Sequence, residues 1–324
     1  MKIKDRVYGE EEINEQVLID LINSEPIKRL KKISQFGLPR EYYHMPSFSR
    51  YEHSLGVLIL LRRLNANLNE QIAGLIHDVS HTAFSHVIDH VLGDPSKEDY
   101  QDNTFQKFIK NTKIPGILKK HGYNYKKVIN YDSFLLLEQP APLLCADRLD
   151  YSLREMVFFG LDINKDHILS RLKVIDGKII FISKNFAEKF SKLYMQLQEK
   201  HWAGDESKLR YHIIADILKR AIDKKIISLT DLNRDDYFVI NKLLESKDDF
   251  TLSKLNLLKK RIVIKETNSN EGVVLIKKYR YIDPYVLHNG KLIELSRLSS
   301  EYKELLEETK KNHFVKRKVL ILEK

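Results

Sequence analysis

The sequence has little cysteine and no long apolar run. Cys145 is the single cysteine among 324 residues, which excludes an internal disulfide and is typical of a reducing compartment. No apolar stretch reaches the roughly 18 residues that a membrane-spanning helix needs. The charged segment MKIKDRVYGEEE lacks the apolar core of a secretory signal. We therefore expect a cytoplasmic protein that does not cross a membrane.

Several recognisable motifs are also absent. The chain has no phosphate-binding P-loop, no GxGxxG fingerprint, no zinc-finger spacing, no internal repeat and no low-complexity segment. What remains is the composition of a globular protein, with 43% hydrophobic and 31% charged residues. The length is ample for a sizeable core.

Basic residues outnumber acidic ones, and the formal net charge is +10. Such an excess favours an anionic partner, namely a nucleotide, a nucleic acid or another acidic surface. A lysine-rich proteome would explain the same excess without any such partner. The basic residues are spread along the chain apart from three short clusters, at 259–265, 277–280 and 315–318.

Histidines and acids concentrate in one stretch, between residues 49 and 89. His53 lies at the start of one apolar helical pattern, and the doublet His77–Asp78 ends a second one. Burying such groups without partners costs several kcal/mol each, and a divalent metal would pair all of them at once. The pattern therefore predicts a metal site. A buried polar network without a metal is the alternative interpretation.

Asp147 is the best candidate for a fourth metal ligand. It follows the apolar run Leu143–Ala146 and opens a new helical pattern in the segment LLCADRLDYSLRE. Two imidazoles and two carboxylates suit Mn, Mg, Fe, Ni or Zn, and this donor set does not choose among them.

Three further polar residues of the central stretch are candidates for catalysis. His81 lies four residues after His77, and we expect a tight break there that turns its ring into a cleft. His86 and Asp89 are three residues apart and are expected to form a carboxylate–imidazole pair, which suits the imidazole to proton transfer. A purely supporting role for His81 beside the metal is the alternative.

These residues carry a resemblance to a known family. His53, the His77–Asp78 doublet and the distant Asp147 match the H…HD…D pattern of the HD superfamily of metal-dependent phosphohydrolases. The segments SRYEHSLGV, HDVSHTAFSHVID and ADRLDYSLRE resemble those of deoxynucleoside triphosphate triphosphohydrolases within that superfamily. The resemblance begins near Arg6 and covers most of the chain.

The resemblance implies a mainly α fold, with an HD-domain helical core and a smaller C-terminal α+β lobe. We expect the core to span residues 1–230 and the lobe to span residues 231–324. A hairpin is predicted around the Asp-Gly turn in LKVIDGKIIFIS. In the C-terminal lobe, RIVIKE, KKYRYIDPYVL and KLIELS are predicted to form strands.

The resemblance also implies substrate contacts near the amino terminus. Gln35 is expected to bond a sugar 3′-hydroxyl, and Phe36 to crowd the 2′ position. Plain packing of Phe36 with an exposed Gln35 is the alternative. Arg50 matches a phosphate-binding arginine, a role that suits the paired donors of a guanidinium. A surface salt bridge is the alternative for Arg50.

Tyr151 and Arg154 follow Asp147 by four and seven residues, so a helix would place all three on one face. The hydroxyl of Tyr151 is expected near the nucleotide, and Arg154 is expected to pair with a phosphate or with an acid. Gln101 stands where relatives of the resembled family carry a histidine of the proton-transfer network. Trp202 is either a stacking surface for the base or a core residue.

Together these observations predict a metal-dependent phosphohydrolase that converts a dNTP to deoxynucleoside and triphosphate. One alternative is an HD protein that binds nucleotide or nucleic acid with weak or no hydrolysis. Another is an HD phosphodiesterase or nuclease. By analogy with the resembled enzymes, we expect a homo-oligomer.

Overall fold

The computed structural model describes residues 1–43, 47–267, 269, 272–315 and 317–322, and its regular structure is mainly helical. The α-helices are α1 (Gln16–Asn23), α2 (Glu25–Arg29), α3 (Arg40–Tyr43), α4 (Arg50–Arg63), α5 (Leu68–Ile76), α6 (Val87–Leu92), α7 (Tyr100–Lys110), α8 (Ile114–Lys120), α9 (Tyr125–Val128), α10 (Ala146–Phe158), α11 (Lys165–Leu169), α12 (Lys184–Leu197), α13 (Asp205–Asp223), α14 (Asp236–Glu245), α15 (Asp249–Leu258), α16 (Leu295–Leu298) and α17 (Ser300–His313). The predicted mainly α fold is confirmed.

Short strands form three small sheets. The strands are β1 (Lys2–Asp5), β2 (Gly9–Glu12), β3 (Leu172–Ile175), β4 (Lys178–Phe181), β5 (Val263–Glu266), β6 (Val273–Val274), β7 (Tyr285–His288), β8 (Lys291–Glu294) and β9 (Lys318–Leu322). The sheet orders are β1-β2, β3-β4-β7-β8 and β5-β9-β6. The hairpin predicted at the Asp-Gly turn is confirmed as β3–β4, with Asp176 and Gly177 both at positive φ.

The segment 275–284 differs from the expected strand. It carries no regular secondary structure, and β7 begins only at Tyr285. Its basic side chains instead find partners on the helical core, since Lys277 bonds Ser207 and Arg280 pairs with Glu98. The segment therefore runs along the core as one side of a cavity.

Helix α4 is the centre of the helical core. A capping box starts it: Ser49 Oγ accepts from the Glu52 amide at 3.2 Å, and Glu52 Oε2 accepts from the Ser49 amide at 2.9 Å. Helix α10 approaches α4 closely at Gly56. A Cβ added at Gly56 would lie 2.0 Å from atoms of Arg154 and Asp150, so only glycine fits.

The core is continuous across the expected lobe boundary at residue 230. One apolar cluster joins α1, α4, α5, α10 and α12 with Ile282, Val286 and Tyr302, and a second joins α6 with α13, α14 and α15. Strand β7 also pairs with β4. Residues after 230 thus pack on both sides of the helical core. No helix in the described ranges is long and apolar enough to cross a bilayer.

Asp236, the first residue of α14, connects the C-terminal half to the loops around the cavity. Its side chain is 1% exposed. One carboxylate oxygen accepts from the Ser34 amide at 2.9 Å, and the other accepts from the Phe84 amide at 2.8 Å. These two amides belong to the loops that carry Gln35 and His86.

Candidate metal centre

The structure brings the four predicted metal ligands together from three helical segments. His53 lies in the first turn of α4, His77 and Asp78 directly follow α5, and Asp147 lies in the first turn of α10. His53 Nε2 is 3.2 Å from His77 Nε2 and 2.9 Å from Asp147 Oδ1, and His77 Nε2 is 3.4 Å from the same oxygen. These three side chains offer ligand atoms within 4.8 Å of one another.

Asp78 lies beside this triad. Its carboxylate oxygens are 3.5 Å from His77 Nε2 and 3.8 Å from His53 Nε2. The carboxylate also accepts from Arg50 Nη1 at 2.6 Å and lies 3.2 Å from His81 Nε2. Asp78 therefore links the candidate metal ligands to the residues predicted to bind phosphate and move protons.

Hydrogen bonds at the far side of each imidazole orient the two rings. His53 Nδ1–H donates to Asp150 Oδ2 at 2.7 Å, and His77 Nδ1–H donates to the Gly74 carbonyl at 2.7 Å. In the neutral rings that a metal would bind, both Nε2 lone pairs would then face one point, and a cation there would take the place of the proton that His53 shares with Asp147. The arrangement fits a divalent metal held by two nitrogens and two carboxylates.

The charge balance at this point also favours a cation. Burial lowers the pKa of His53, but hydrogen bonds to Asp147 and Asp150 outweigh it and raise that pKa to about 10. Burial acts in the opposite direction on Asp147, yet hydrogen bonds from His53 and His77 hold its pKa well below the usual range. The carboxylates that stabilise an imidazolium would stabilise a metal ion in the same way.

The candidate ligands border a cavity of about 480 Å³. Nine of the predicted site residues line it: Gln35, Phe36, Arg50, His77, Asp78, His81, His86, Asp147 and Tyr151. His53 lies behind this lining at 1% exposure. Asp89 and Arg154 do not line the cavity.

His81 and His86 lie side by side on the cavity wall. Their ring centres are 4.9 Å apart and the ring planes are nearly perpendicular. Burial and the nearby guanidinium of Arg50 hold the pKa of His81 well below its ordinary value, so its ring is neutral. Phe84 and Ser85, both at positive φ, make the tight break that brings His86 back to the cavity.

The expected pair of His86 and Asp89 is a contact and not a hydrogen bond. Nδ1 of His86 lies 3.5 Å from Asp89 Oδ2, and both atoms lack a hydrogen-bond partner. Asp89 instead accepts from the Tyr100 amide at 2.9 Å through its other oxygen. The carboxylate thus lies behind the ring, because α6 turns it towards the start of α7.

Arg50 is buried, at 2% exposure, so the alternative interpretation, a surface salt bridge, does not apply to it. Besides Asp78 it donates from Nε to Ser85 Oγ at 2.7 Å. Its remaining donors border the cavity. Arg50 thereby joins the metal-ligand turn to the loop that carries His86.

Gln35 and Phe36 form the edge of the cavity nearest the amino terminus. The Phe36 ring packs against Tyr43, Phe48 and Phe159 with centre distances of 5.4–5.9 Å. It therefore both packs and lines the cavity. The side chain of Gln35 is half-buried, and its Oε1 has no protein partner.

Tyr151 and Arg154 separate, although both were expected on the cavity face of α10. The Tyr151 hydroxyl bonds the Tyr194 hydroxyl at 2.7 Å inside the cavity. Arg154 is fully buried and pairs with Asp150 at 2.8 Å and with Asp5 at 2.9 Å. The sequence left a phosphate or an acid as the partner of Arg154, and in the structure its partners are acids. Arg154 lies two turns along α10 from Asp147, at the place where α10 meets α4 and β1.

Gln101 holds the turn that carries the His77–Asp78 doublet. Its Nε2 donates to the His77 carbonyl at 2.9 Å and lies 2.9 Å from Ser80 Oγ. The residue also lines the cavity. The neutral amide of Gln101 therefore stabilises the backbone of this turn. Gln101 stands at the position where the resembled family carries a histidine.

Several cavity residues were not predicted as site residues. On α10, Arg148 directly follows Asp147, and Glu155 accepts from Trp202 Nε1 at 2.5 Å. Opposite them runs Lys277–Tyr281, which we call the C-terminal wall. The basic cluster at 277–280 was the available signal for this wall, but a cluster of lysines is usually a solvated surface.

Comparison with known proteins agrees with the geometry. The family profile described as "HD domain" matches residues 50–153. This range begins with Arg50 and contains all four candidate metal ligands. The chain is 39% identical to the uncharacterized protein YdhJ of Bacillus subtilis over 94% of both chains.

Other relatives carry functional names. The chain is 46% identical to the metal-dependent phosphohydrolase cns2 of Cordyceps militaris, over 49% of this chain and 46% of that protein. It is 24% identical to a deoxynucleoside triphosphate triphosphohydrolase SAMHD1 homolog of Dictyostelium discoideum, over 90% of this chain and 61% of that protein. A crystal structure of a phosphohydrolase from Bacteroides thetaiotaomicron has the same fold, with a TM-score of 0.71, 18% identity and full coverage of both chains.

Proposed function

The chain belongs to the HD-domain family of metal-dependent phosphohydrolases, and we propose that its substrate is a nucleotide, specifically a dNTP that it cleaves to deoxynucleoside and triphosphate. The observation that carries the proposal is one cavity that joins the candidate metal ligands to Arg50, His81 and His86. The name of the Dictyostelium relative supports the choice of dNTP.

A divalent metal held by His53, His77, Asp78 and Asp147 supplies, when bound, a polarised phosphoryl oxygen and a water of lowered pKa. The protein's part is to hold these donors in fixed directions. Asp150 and the Gly74 carbonyl do so for the two imidazoles, and Gln101 does so for the backbone of the doublet.

Arg50 is the proposed phosphate-binding cation of the helical wall, by which we mean the side of the cavity that Arg50, His77, Asp78 and Asp147 line. Its bonds to Asp78 and Ser85 fix the guanidinium, so little side-chain freedom is lost when its remaining donors meet phosphate oxygens. Arg148 borders the same space from the first turn of α10.

His86 is the proposed group that gives a proton to the leaving sugar oxygen. In this reaction a water oxygen forms a bond to the α-phosphorus, and the bond from that phosphorus to the sugar 5′-oxygen breaks. The released oxygen needs a proton to become the deoxynucleoside hydroxyl. His86 lines the cavity, and Oδ2 of Asp89 lies 3.5 Å from its Nδ1 on the side of the ring away from the cavity.

The proposed sugar end of the cavity is formed by Gln35, Phe36 and Tyr151. The unpartnered Oε1 of Gln35 is an acceptor for a sugar hydroxyl. Phe36 fills space beside it and would oppose a 2′-hydroxyl. The Tyr151 hydroxyl can exchange its bond to Tyr194 for a bond to the nucleotide.

Product identification in ¹⁸O-labelled water tests the proposal. Purified protein with Mn²⁺ or Mg²⁺ and each dNTP is expected to release triphosphate and deoxynucleoside in equal amounts, with the label in the triphosphate. His86→Ala is expected to bind metal normally and to lower kcat by about 10²–10⁴-fold. The exposed His288→Ala is the matched control. Release of orthophosphate, or cleavage of oligonucleotides alone, would instead support a phosphatase or phosphodiesterase.

A second candidate is a nucleotide-binding HD protein that turns over slowly. Gln101 favours it, because an amide cannot hold the proton that a histidine at this position would hold. Saturable dNTP binding without any product, under every metal tried, would select this candidate over the hydrolase.

A further inference from the structure

Lys277, in the C-terminal wall, is a buried basic group, and its burial lowers its pKa to about 7. Its side chain is 7% exposed and borders the cavity. Nζ lies 3.0 Å from Ser207 Oγ and 3.5 Å from the centre of the Tyr211 ring. Within the described ranges, no carboxylate forms a salt bridge with this ammonium. A phosphate bound beside Lys277 would favour its ammonium form and would supply the anionic partner that a buried charge needs.

The groups around Lys277 leave an excess of positive charge. Arg280 is paired with the buried carboxylate of Glu98, which burial disfavours but which Arg280 keeps ionised, with a pKa of about 2. Burial raises the pKa of Glu155, on the opposite side, to about 8, so that group is largely neutral at pH 7. Lys208 and Lys278 add further positive charge. Around Lys277 itself, Glu98 is the ionised carboxylate among several basic groups, whereas Lys278 also faces the carboxyl groups of Asp102 and Glu138.

We propose that Lys277, with Lys278 and Arg280 beside it, forms a second anion-binding subsite of the cavity, which takes a phosphate group. An ammonium has three donors, and Lys277 uses one of them on Ser207, so two remain for phosphate oxygens. The inference rests on the proposed nucleotide substrate for its chemistry, but the subsite is formed by residues outside the candidate metal centre. The phosphate comes either from the nucleotide or from free inorganic phosphate species.

A purely structural role for Lys277 makes the opposite prediction about stability. If the side chain serves only to pack on Tyr211 and bond Ser207, its loss lowers the Tm. If it is held for an anion, Lys277→Met removes a buried basic group that lacks an anionic partner and keeps the apolar stem. The Tm of Lys277→Met without ligand is then expected to equal or exceed that of the wild type.

Calorimetric titration of inorganic tripolyphosphate into the full-length protein tests the subsite. The protein is first treated with EDTA and its circular dichroism is checked, so that neither metal nor turnover contributes. Lys277→Met is expected to weaken binding about ten- to a hundredfold, the usual loss for a hydrogen-bonded charge. Lys303→Met, on the outer face of α17 with a 63% exposed side chain, is the control and should change affinity less than about twofold.

Equal tripolyphosphate affinity for Lys277→Met and wild type, or a lower Tm for the variant, would overturn the subsite. A non-hydrolysable dNTP analogue that competes with tripolyphosphate assigns the phosphate to the nucleotide, whereas simultaneous binding assigns it to a free phosphate species. Either outcome sustains the subsite. A protein that binds tripolyphosphate through Lys277 but cleaves no nucleotide would refute only the proposed function.

Discussion

Two walls of the same cavity balance their charges in different ways. On the helical wall, Asp78 pairs with Arg50, and Asp147 lies against His53 and His77. On the C-terminal wall, Lys277 bonds a hydroxyl and lies over an aromatic ring, and no carboxylate of the described residues lies within salt-bridge distance of it. The first wall concentrates lone pairs and carboxylates, which attract a cation, and the second concentrates basic side chains, of which Arg280 is paired with Glu98. With the proposed substrate, a phosphate held at the candidate metal centre would meet both walls at once.

The walls also differ in how the chain builds them. The helical wall consists of the first turns of α4 and α10 and of the residues that directly follow α5. The packing of these helices, together with hydrogen bonds between the side chains, holds the side chains in place. The C-terminal wall is a segment without regular secondary structure, tied down by its own polar contacts. We therefore expect substitutions to have larger and more local effects on the first wall than on the second.

The largest effect is expected at Asp147. Asp147→Ala removes the carboxylate oxygen that lies nearest to the Nε2 atoms of His53 and His77. It should lower metal affinity by at least about a hundredfold, because loss of a residue that only hydrogen-bonds a metal ligand already costs about 10–100-fold. Metal content after dialysis against buffered Mn²⁺ gives the measurement, with circular dichroism to verify folding. Asp162→Ala, whose side chain is fully exposed, is the control. Full occupancy with normal affinity in Asp147→Ala would refute its assignment as a ligand.

An intermediate effect is expected at Gln101, which holds the backbone of the His77–Asp78 turn. Gln101→Leu keeps the volume but removes the donors to the His77 carbonyl and to Ser80, so metal affinity should fall about 10–100-fold. Tripolyphosphate affinity of the EDTA-treated protein should stay within about twofold, because Lys277 is untouched. The exposed Gln16→Leu is the control. If Gln101→Leu weakened tripolyphosphate and left metal binding intact, the two walls would not be separate binding surfaces.

The smallest effect is expected at Glu155, which lies between the walls. Burial raises its pKa to about 8, although the bond from Trp202 opposes this, whereas an unfolded glutamate has a pKa of about 4.3. As pH rises between these values the unfolded chain loses its proton first, so Glu155 lowers wild-type stability progressively towards pH 8. Glu155→Gln removes this dependence.

Thermal unfolding at several pH values measures this effect. The Tm advantage of Glu155→Gln over wild type should grow by several °C between about pH 5 and about pH 8. Glu245→Gln, at the exposed end of α14, should show no such trend. A Tm difference that is constant with pH would mean that Glu155 is ionised in the folded protein throughout.

The sequence was sufficient for the helical wall because its residues are chemically distinctive. Few patterns other than a metal site bring His53, His77 and Asp78 onto apolar helices, and the apolar lead-in of Asp147 marks it as buried. The distant pairing of Arg154 with Asp5 was not visible, because nothing in the sequence shows that β1 lies against α10. The same limit applies to Asp89, whose direction depends on where α6 ends.

The C-terminal wall could not be predicted, although its basic residues are obvious in the sequence. Alternating lysines and apolar residues in this part of the chain are typical of a half-exposed strand. Whether Lys277 faces solvent or a cavity depends on Ser207 and Tyr211 of α13, which lie far away along the chain. A positive charge is predictable from composition, but the absence of a partner for it is a property of the folded structure alone.

Asp236 has a consequence for local opening of the protein. Its carboxylate accepts from the amides of Ser34 and Phe84, which lie in separate loops. Detachment of α14 would therefore release both amides together, and their hydrogen exchange would follow one shared opening free energy. The HD-domain match at 50–153 contains neither Ser34 nor Asp236. We therefore expect the loops that carry Ser34 and Phe84 to open together with α14, as a unit that extends beyond the range of the HD-domain match.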